Sequence, residues 1–463
     1  MKKRLLIGLL IVLILISGCQ KGELNLTPKE RAIGAVVGNG NTEVGTGWST
    51  NENPAEAVKE AVDMALEGKS DKTPDFAIIF ASSGSNLSII LSEAKRLLGE
   101  EIKIYGGTSD SRAVMTEKGF VKVTEKGYEY SLLGGKRGLA VMTITSKDIS
   151  FGVGSANFED YSSKQEASNA AMLDAIKDAG KSSSELPNLV MVTPTIGAEE
   201  EVVEGIEEVV GKETIILGGT TGGPTQAVFG KNKAYDKGVS LAVIYTNLPI
   251  GWTFEGGFDT REPHSGIVTK VDGQNIVEID NRPALDVYNE WLDGKIDQLY
   301  EEVGDPGKIR DLLTLSPIYR KYTSPTGQDY FLFSHPWPKD DTLVDRAVST
   351  STKIKVGERI YLSRGTWETL VNRIGNLPKN AKVKGEIDLN KKPILGIGYI
   401  CAGVLGTIPE EEREKLPVLI NYANNNAPFI ATFTWGEQGH FPGIGNKHGN
   451  LLTSFIVIGE ASG

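Results

Sequence analysis

Two glycine-rich segments are the first candidates for a ligand site. Each ends an apolar run and combines paired glycines with hydroxyl side chains, so backbone amides and hydroxyl donors could surround a small anionic group. The first segment also carries a guanidinium, which binds carboxylates in a bidentate manner. Both could instead be tight turns that need glycine for conformational reasons. The predicted ligand-binding residues are Gly106, Gly107, Thr108, Ser109 and Arg112 in the first segment and Gly218, Gly219, Thr220 and Thr221 in the second.

A second group of candidates lies near the C-terminus. A carboxylate there could hold an ammonium group while neighbouring amides fix its orientation. Glu437, His440 and His448 could also bind a metal, because Glu and His suit zinc, but their spacing matches no standard zinc motif. We therefore predict no metal and no cofactor. The predicted ligand-binding residues of this group are Gly436, Glu437, Asn446, His448 and Asn450.

Nucleophilic catalysis has weaker support. Ser82 and Ser83 follow an apolar run, but outside any Gly-x-Ser-x-Gly elbow, and all four histidines lie far downstream. Cys401 has no evident activating base and is expected to pack as a small buried hydrophobe. We expect ligand binding rather than catalysis. A hydrolase or transferase that uses the same cleft is the alternative, and a scaffold without ligand is a third hypothesis.

An internal repeat must position these residues. Short apolar runs bounded by turns predict buried strands, and longer stretches of helical pattern follow them. The first copy has strands at residues 75–81 and 102–109 and helices at 54–66 and 86–98; the second has strands at 188–193 and 214–221 and helices at 164–179 and 199–210. We predict two such units over residues 31–250, packed about a pseudo-twofold axis with a cleft between them.

A different pattern begins near Pro263. Asp272-Gly273 is a strong hairpin signal between two alternating runs. Further predicted elements are helices at residues 283–292, 366–374 and 409–415 and strands at 330–334, 353–361, 393–402, 429–435 and 451–458. The predicted fold class is an α/β N-terminal domain built from an internal duplication, with mixed sheets and flanking helices, followed by an α+β domain over residues 251–463.

The N-terminus predicts export and membrane attachment. Three basic residues precede an apolar run of about twelve residues, which is too short to span a bilayer because a spanning helix needs roughly twenty. The segment is therefore expected to be a cleaved signal peptide, residues 1–18. Ser17-Gly18-Cys19 resembles the lipobox of bacterial lipoproteins, in which the cysteine is acylated. We predict lipidation of Cys19, a flexible tether over residues 19–30, and a place on the extracytoplasmic face of the cell membrane.

The net charge and the cysteine content limit which binding partners and which disulfides the protein can have. The formal net charge is -11, and removal of Lys2, Lys3 and Arg4 with the signal peptide would take it to -14. Nucleic-acid binding relies on clustered Lys and Arg, so no nucleic-acid partner is expected. Cys401 would be the only cysteine beyond the anchor, which excludes an internal disulfide.

The motifs together resemble the FIST family, a paired N- and C-terminal sensory module. In the N-terminal part, the resemblance rests on the Gly-Thr-Gly loop at residues 45–47 and on the Gly-Gly-Thr turns at Gly106 and Gly218. In the C-terminal part it rests on residues 279–288 (IDNRPALDVY), 399–403 (YICAG), 436–437 and 446–450. Val404 stands where the family's arginine is expected, which would alter what is bound there.

The resemblance implies a sensory function and a small ligand, such as an amino acid or a derivative of one. The sequence has no recognisable kinase, cyclase, methyl-accepting or DNA-binding segment, so a signal would pass to a separate membrane partner. We therefore expect an extracytoplasmic, membrane-anchored lipoprotein that recognises a small polar metabolite.

Overall fold

The computed structural model describes residues 37–38, 41–110, 113–121, 138–223, 225–261, 263–302, 306–337 and 346–460. All of them belong to one compact unit, Gly34–Gly463. Cys19, the signal peptide and the tether lie outside the described residues, and so does Arg112. Within the described ranges, no helix is both long and apolar enough to cross a membrane.

Both predicted repeats are present, and each contains a parallel pair of buried strands linked by a helix. The parallel pairs are Phe76–Ser82 with Lys103–Ser109 and Leu189–Pro194 with Ile215–Gly219. The first repeat comprises β1 (Val37–Gly38), β2 (Thr42–Ser49), α1 (Pro54–Leu66), β3 (Phe76–Ser82), α2 (Leu87–Leu98), β4 (Lys103–Ser109), β5 (Val114–Thr116), β6 (Gly119–Val121) and β7 (Leu139–Ser146). The second comprises β8 (Ile149–Asn157), a 3-10 turn (Phe158–Asp160), α3 (Lys164–Asp178), β9 (Leu189–Pro194), α4 (Glu199–Val210), β10 (Ile215–Gly219), β11 (Val228–Phe229), β12 (Ala234–Tyr235) and β13 (Gly238–Thr246).

The next strand, β14 (Ile250–Glu255), is followed by an insertion with its own antiparallel sheet. The predicted hairpin around Asp272-Gly273 is its centre. The predicted strand at residues 353–361 is confined to its last residues, because the positive φ of Gly357 (90°) ends the extended run. The insertion comprises β15 (Ser265–Asp272), β16 (Asn275–Ile279), β17 (Arg282–Pro283), α5 (Ala284–Trp291), α6 (Lys295–Glu302), α7 (Pro306–Thr314), β18 (Ile318–Thr323), β19 (Asp329–Ser334), β20 (Pro336–Trp337), β21 (Val348–Thr350) and β22 (Arg359–Leu362).

After the insertion the chain completes a third copy of the unit, which the sequence analysis did not find. Its parallel strands are Leu395–Cys401 and Phe429–Thr434. Its last strand, Thr453–Ile458, lies antiparallel to both β14 and Leu395–Cys401, as β7 does to β2 and β3 in the first copy. The elements are α8 (Trp367–Lys384), β23 (Leu395–Cys401), α9 (Ala402–Thr407), α10 (Glu410–Arg413), α11 (Leu416–Ala423), β24 (Phe429–Thr434), β25 (Glu437–Phe441), β26 (Gly445–Gly449) and β27 (Thr453–Ile458).

The three repeats exchange hairpins in a closed cycle. The pair β5–β6 of the first repeat adds to the sheet of the third, β11–β12 of the second adds to the sheet of the first, and β25–β26 of the third adds to the sheet of the second. The sheet orders are β1-β2-β7-β3-β4-β11-β12, β8-β13-β9-β10-β25-β26 and β14-β27-β23-β24-β5-β6. The predicted duplication and the mixed α/β fold class are confirmed, but a cycle of three replaces the predicted twofold pair.

Glycines in the first strand of each repeat explain why that strand lies so close to its helix. In β2, a Cβ on Gly45 or Gly47 would overlap a carbonyl oxygen of α1, and Gly152 and Gly154 in β8 face α3 in the same way. Gly251 in β14 repeats the contact against α8. The Gly-Thr-Gly segment predicted as a loop is therefore a strand whose glycines permit close helix packing.

The buried centre joins all three repeats through one hydroxyl cluster. The Tyr105 hydroxyl lies 2.7 Å from the Thr193 hydroxyl and 2.8 Å from the Tyr399 hydroxyl. These side chains come from β4, β9 and β23, and apolar residues of all three sheets surround them. Since buried hydroxyls need partners, the cluster specifies how the three sheets meet.

Candidate functional site

The two glycine-rich segments lie at the ends of β4 and β10, and both are buried. Their amides are occupied within the protein: Thr108 N donates to Ala227 O, and Thr220 N donates to Gly436 O, each at 2.9 Å. The Ser109 hydroxyl donates to a backbone carbonyl at 2.7 Å. These donors, which a bound anion would need, are thus engaged within the protein, and the two amides join one repeat to the next.

Glycine is required in these segments by close packing. Gly106 has a φ of 133°, which L side chains rarely adopt. A Cβ on Gly218 would overlap Val192 O, and one on Gly219 would overlap the Thr434 side chain. A Cβ on Gly107 would come within 2.8 Å of a carbonyl oxygen. Tight strand packing accounts for all four glycines.

The second segment and the C-terminal candidates meet although more than two hundred residues separate them. Gly218 and Gly219 pair with Gln438 and Glu437 through β10 and β25, and Gln438 Nε2 donates to the Thr220 hydroxyl at 3.0 Å. The structure therefore brings these two groups of candidate residues together. The segment Glu437–Gly449 is a hairpin rather than the loop expected from its glycines.

Glu437 is fully buried and faces the protein interior. Its carboxylate accepts hydrogen bonds from the Thr434 hydroxyl at 2.7 Å and from Leu452 N at 3.1 Å. Burial raises its pKa to about 8. With both oxygens bonded to the protein, Glu437 holds the β24–β25 turn against the start of β27.

Asn446 fastens the hairpin to α4 and β10. Its backbone N and side-chain Nδ2 both donate to Glu207 Oε1, at 2.9 and 3.0 Å, and its Oδ1 accepts from Ile216 N at 3.0 Å. His440 Nδ1 lies 3.0 Å from the same Oδ1. Asn450 is buried nearby, and its Oδ1 has no partner among the described residues.

A cleft of about 540 Å³ opens where α4, the insertion strands β18 and β19, and the hairpin strand β26 converge. Of the predicted site residues, Asn446 and His448 line it, and the others in the described ranges do not. A second cleft of about 690 Å³ lies between α8 and α11, lined by asparagines and lysines and by none of the predicted site residues. We take the first as the candidate site, because three parts of the fold meet there and two of the predicted site residues line it.

Both signs of charge line this cleft. The carboxylates all come from α4, whereas the cations come from the segment after α4, the insertion and the hairpin strand β26, so the cleft can complement both ends of a zwitterion. Burial lowers the pKa of Lys447, which lies 5.8 Å from the centre of the Tyr322 ring. The carboxylates are Glu200, Glu204, Glu207 and Glu208, and the cations are Lys212, Arg320, Lys353 and Lys447.

Of the four cations that line the cleft, Arg320 is the least exposed, at 9%. Its Nη1 donates to Lys353 O at 2.9 Å and lies 3.4 Å from a Glu358 carboxylate oxygen. Its Nε is buried and has no hydrogen-bond partner among the described residues. An unsatisfied donor of this kind costs roughly 1–3 kcal/mol.

Sequence reasoning missed all of the charged lining residues. The acidic run at residues 199–201 is visible in the sequence, but it is also typical of a helix N-terminus, where carboxylates complement the dipole. Arg320 and Lys353 belong to the insertion and carry no motif. Only the tertiary structure brings them opposite α4.

The candidate nucleophiles lie away from this cleft. Ser82 Oγ donates to Gly138 O at 3.0 Å, and Ser83 Oγ donates to Thr225 O at 2.8 Å. Burial raises the pKa of the Cys401 thiol far above its usual range. Among the described residues, none of these three side chains is hydrogen-bonded to a histidine.

Residues 75–282 match the FIST N domain family. FIST domains are sensory domains thought to bind small ligands. The matched range runs from the start of β3 through the whole second repeat, β14 and the first hairpin of the insertion. It includes α4, which forms the acidic wall of the cleft. The C-terminal part of the resemblance stays a prediction.

Comparison with solved structures finds only distant likeness. A cyanuric acid hydrolase from A. caulinodans has a TM-score of 0.31 and 9% identity, with 90% of this chain and 100% of that chain covered. A further cyanuric acid hydrolase structure has a TM-score of 0.30 and 9% identity, with the same coverage. PurL from T. maritima, complexed with ADP, has a TM-score of 0.21 and 10% identity, with 92% and 74% covered. A search of curated proteins finds no significant match.

Proposed function

We propose that this protein is a membrane-tethered receptor for a small zwitterionic metabolite, of the size and charge of an amino acid, which binds in the cleft beside α4. The sensory character of FIST domains supports a receptor. A volume of about 540 Å³ and a lining of both charges support a small charged ligand. The ligand carboxylate would lie toward Arg320 and its ammonium group toward the carboxylates of α4.

The buried, unpartnered Nε of Arg320 is the observation that carries this proposal. The side chain is already held by Lys353 O and Glu358, so its ordering cost is met before a ligand arrives. A carboxylate that accepts from Nε replaces no existing protein hydrogen bond. The site therefore gains a charge-assisted bond without losing one.

A thermal-shift screen of the twenty amino acids and related metabolites tests the proposal. Binding to the folded state must raise the melting temperature, and 100-fold saturation corresponds to about 2.7 kcal/mol of added stability. Arg320→Ala should abolish the shift, whereas Arg96→Ala, at an exposed ion pair on α2, should retain it. The proposal fails if no compound shifts the wild type, or if the shift survives in Arg320→Ala.

The tether is a second part of the proposal. An acylated Cys19 would keep the receptor beside a membrane partner that carries the signal onward. Cys19→Ser should move the protein from the membrane fraction to the soluble fraction without changing its melting temperature. Continued recovery of Cys19→Ser with membranes after a high-salt wash would contradict lipid attachment through this residue.

A further inference from the structure

Three metal-ligating side chains converge beside the cleft, at the N-terminus of α4. One carboxylate oxygen from each of Glu199 and Glu200 and one ring nitrogen of His448 lie within 4.8 Å of one another. Glu199 is 4% exposed and His448 is 4% exposed. The two glutamates belong to the second repeat, whereas the histidine comes from the hairpin that the third repeat adds to that sheet.

His448 supplies the observation that points to a ligand. Its Nε2 is buried and has no hydrogen-bond partner among the described residues, while its Nδ1 lies 3.2 Å from Gln438 Nε2. Gln438 Oε1 is likewise buried without a partner in the described ranges. Reversing the Gln438 amide, which is indistinguishable in shape, lets Oε1 accept from both the Thr220 hydroxyl and His448 Nδ1–H and puts Nε2 in the place without a partner. That arrangement leaves the Nε2 lone pair free for a metal.

Both carboxylates retain a ligating oxygen. Glu199 Oε1 accepts from Gly197 N at 3.0 Å, and Glu200 Oε1 accepts from Lys353 N at 2.8 Å. No donor among the described residues reaches the second oxygen of either side chain. Carboxylates at a helix N-terminus are favourable without any metal, so this feature alone would not indicate a site. An imidazole nitrogen left unpaired beside two carboxylates is not explained by the helix.

We propose that Glu199, Glu200 and His448 bind a divalent transition metal, with Gln438 orienting the imidazole. Two carboxylates and one imidazole suit Zn²⁺, and a histidine ligand whose second nitrogen donates to an amide oxygen is the usual arrangement. Ligands at roughly 2.0–2.2 Å from one ion lie closer together than 4.8 Å, so small side-chain rotations complete the site. Three protein ligands leave a further position open.

The open coordination position would allow the bound metal to contact a ligand in the cleft. Glu200 and His448 line the cleft, so the ion would lie in its wall, where an exogenous oxygen ligand could complete the coordination. A metabolite carboxylate that bonds Arg320 through one oxygen could offer its other oxygen to the ion; this consequence alone rests on the proposed function. The metal site itself depends only on the three side chains, so it is tested without any metabolite.

Calorimetric titration of the full-length, chelator-treated protein in detergent with Zn²⁺ alone tests the site. We expect one ion per chain with a micromolar or lower Kd. Co²⁺ in its place should give visible absorption, and an excess of Zn²⁺ should remove that absorption. His448→Ala and the double variant Glu199→Gln/Glu200→Gln should each weaken Zn²⁺ binding by more than the roughly 10- to 100-fold expected for loss of an outer partner.

Matched controls separate the site from other surface ligands. His264→Ala, in the insertion, and Glu201→Gln, the next residue of α4, should bind Zn²⁺ as the wild type does. If His448→Ala fails to fold, as judged by circular dichroism, the partly exposed and isosteric Glu200→Gln decides. The proposal is overturned if the wild type binds no Zn²⁺, or if the affinity is unchanged in the foldable ligand variants.

Discussion

At the scale of single residues, burial decides what the polar side chains do. Glu437 and Arg320 are both ionisable groups with little exposure, yet their roles differ. Glu437 has both oxygens bonded within the protein, whereas Arg320, which lines the cleft, has a buried Nε without a hydrogen-bond partner among the described residues. From residue type alone, Glu437 was the better ligand candidate. The sequence does not show that its carboxyl oxygens already have hydrogen-bond partners within the protein.

The buried carboxyl of Glu437 should make stability depend on pH. Its pKa is about 8 in the folded state, above the ordinary value of 4.5, so its stabilising contribution is complete below pH 4.5 and is lost as the pH rises toward 8. The free energy of unfolding should fall over this range with a slope of up to about 1.4 kcal/mol per pH unit. Glu437→Gln should remove this component, as measured by chemical denaturation at pH 5, 6, 7 and 8.

The matched control for that measurement is Glu411→Gln, at an exposed position on α10. It should keep the wild-type dependence on pH. Identical slopes for the wild type and Glu437→Gln would mean that Glu437 is not the titrating group.

At the scale of elements, glycine proved ambiguous in the sequence. The segment from Gly436 to Asn450 has the glycine content of a ligand loop, but it forms the hairpin β25–β26. A Cβ on Gly439 would overlap the Phe254 ring, so this glycine serves a close approach between strands. The helices of the first two repeats could be predicted because their apolar periodicity and caps are local. The partners of the glycine-rich strands are distant in sequence, so the pairing of these strands could not be predicted.

Gly218→Ala should destabilise the protein if the glycine is structural. The added methyl group would overlap Val192 O within the parallel pair β9–β10, and overpacking of this kind costs about 1–3 kcal/mol or more. The control is Gly406→Ala in α9, where the nearest atom to the new Cβ is 3.9 Å away and little change is expected. Comparable free energies of unfolding for the two variants would contradict the packing account.

At the scale of the whole molecule, the cyclic exchange of hairpins makes the three repeats interdependent. The two uninterrupted copies could be predicted from the sequence but the third could not, because residues 256–366 separate β14 from α8. The cleft was also beyond sequence reasoning, since it requires the second repeat, the hairpin of the third and the insertion together.

Residues 31–250 should therefore not fold stably alone. This fragment lacks β25, which covers the edge of β10, and β24, with which β5 pairs. An uncovered strand edge promotes association between chains. We expect residues 31–250 to aggregate or to show no cooperative melting, whereas residues 31–463 melt in a single transition. A monomeric, cooperatively melting fragment would contradict the exchange.

The central claim is that a small charged ligand binds beside α4, and a crystal structure of the protein with the strongest hit from the thermal-shift screen tests it most directly. The account predicts ligand density in the cleft, with a carboxylate within hydrogen-bond distance of Arg320 Nε. Density at the Gly106 or Gly218 segments, with the cleft beside α4 holding only solvent, would contradict it.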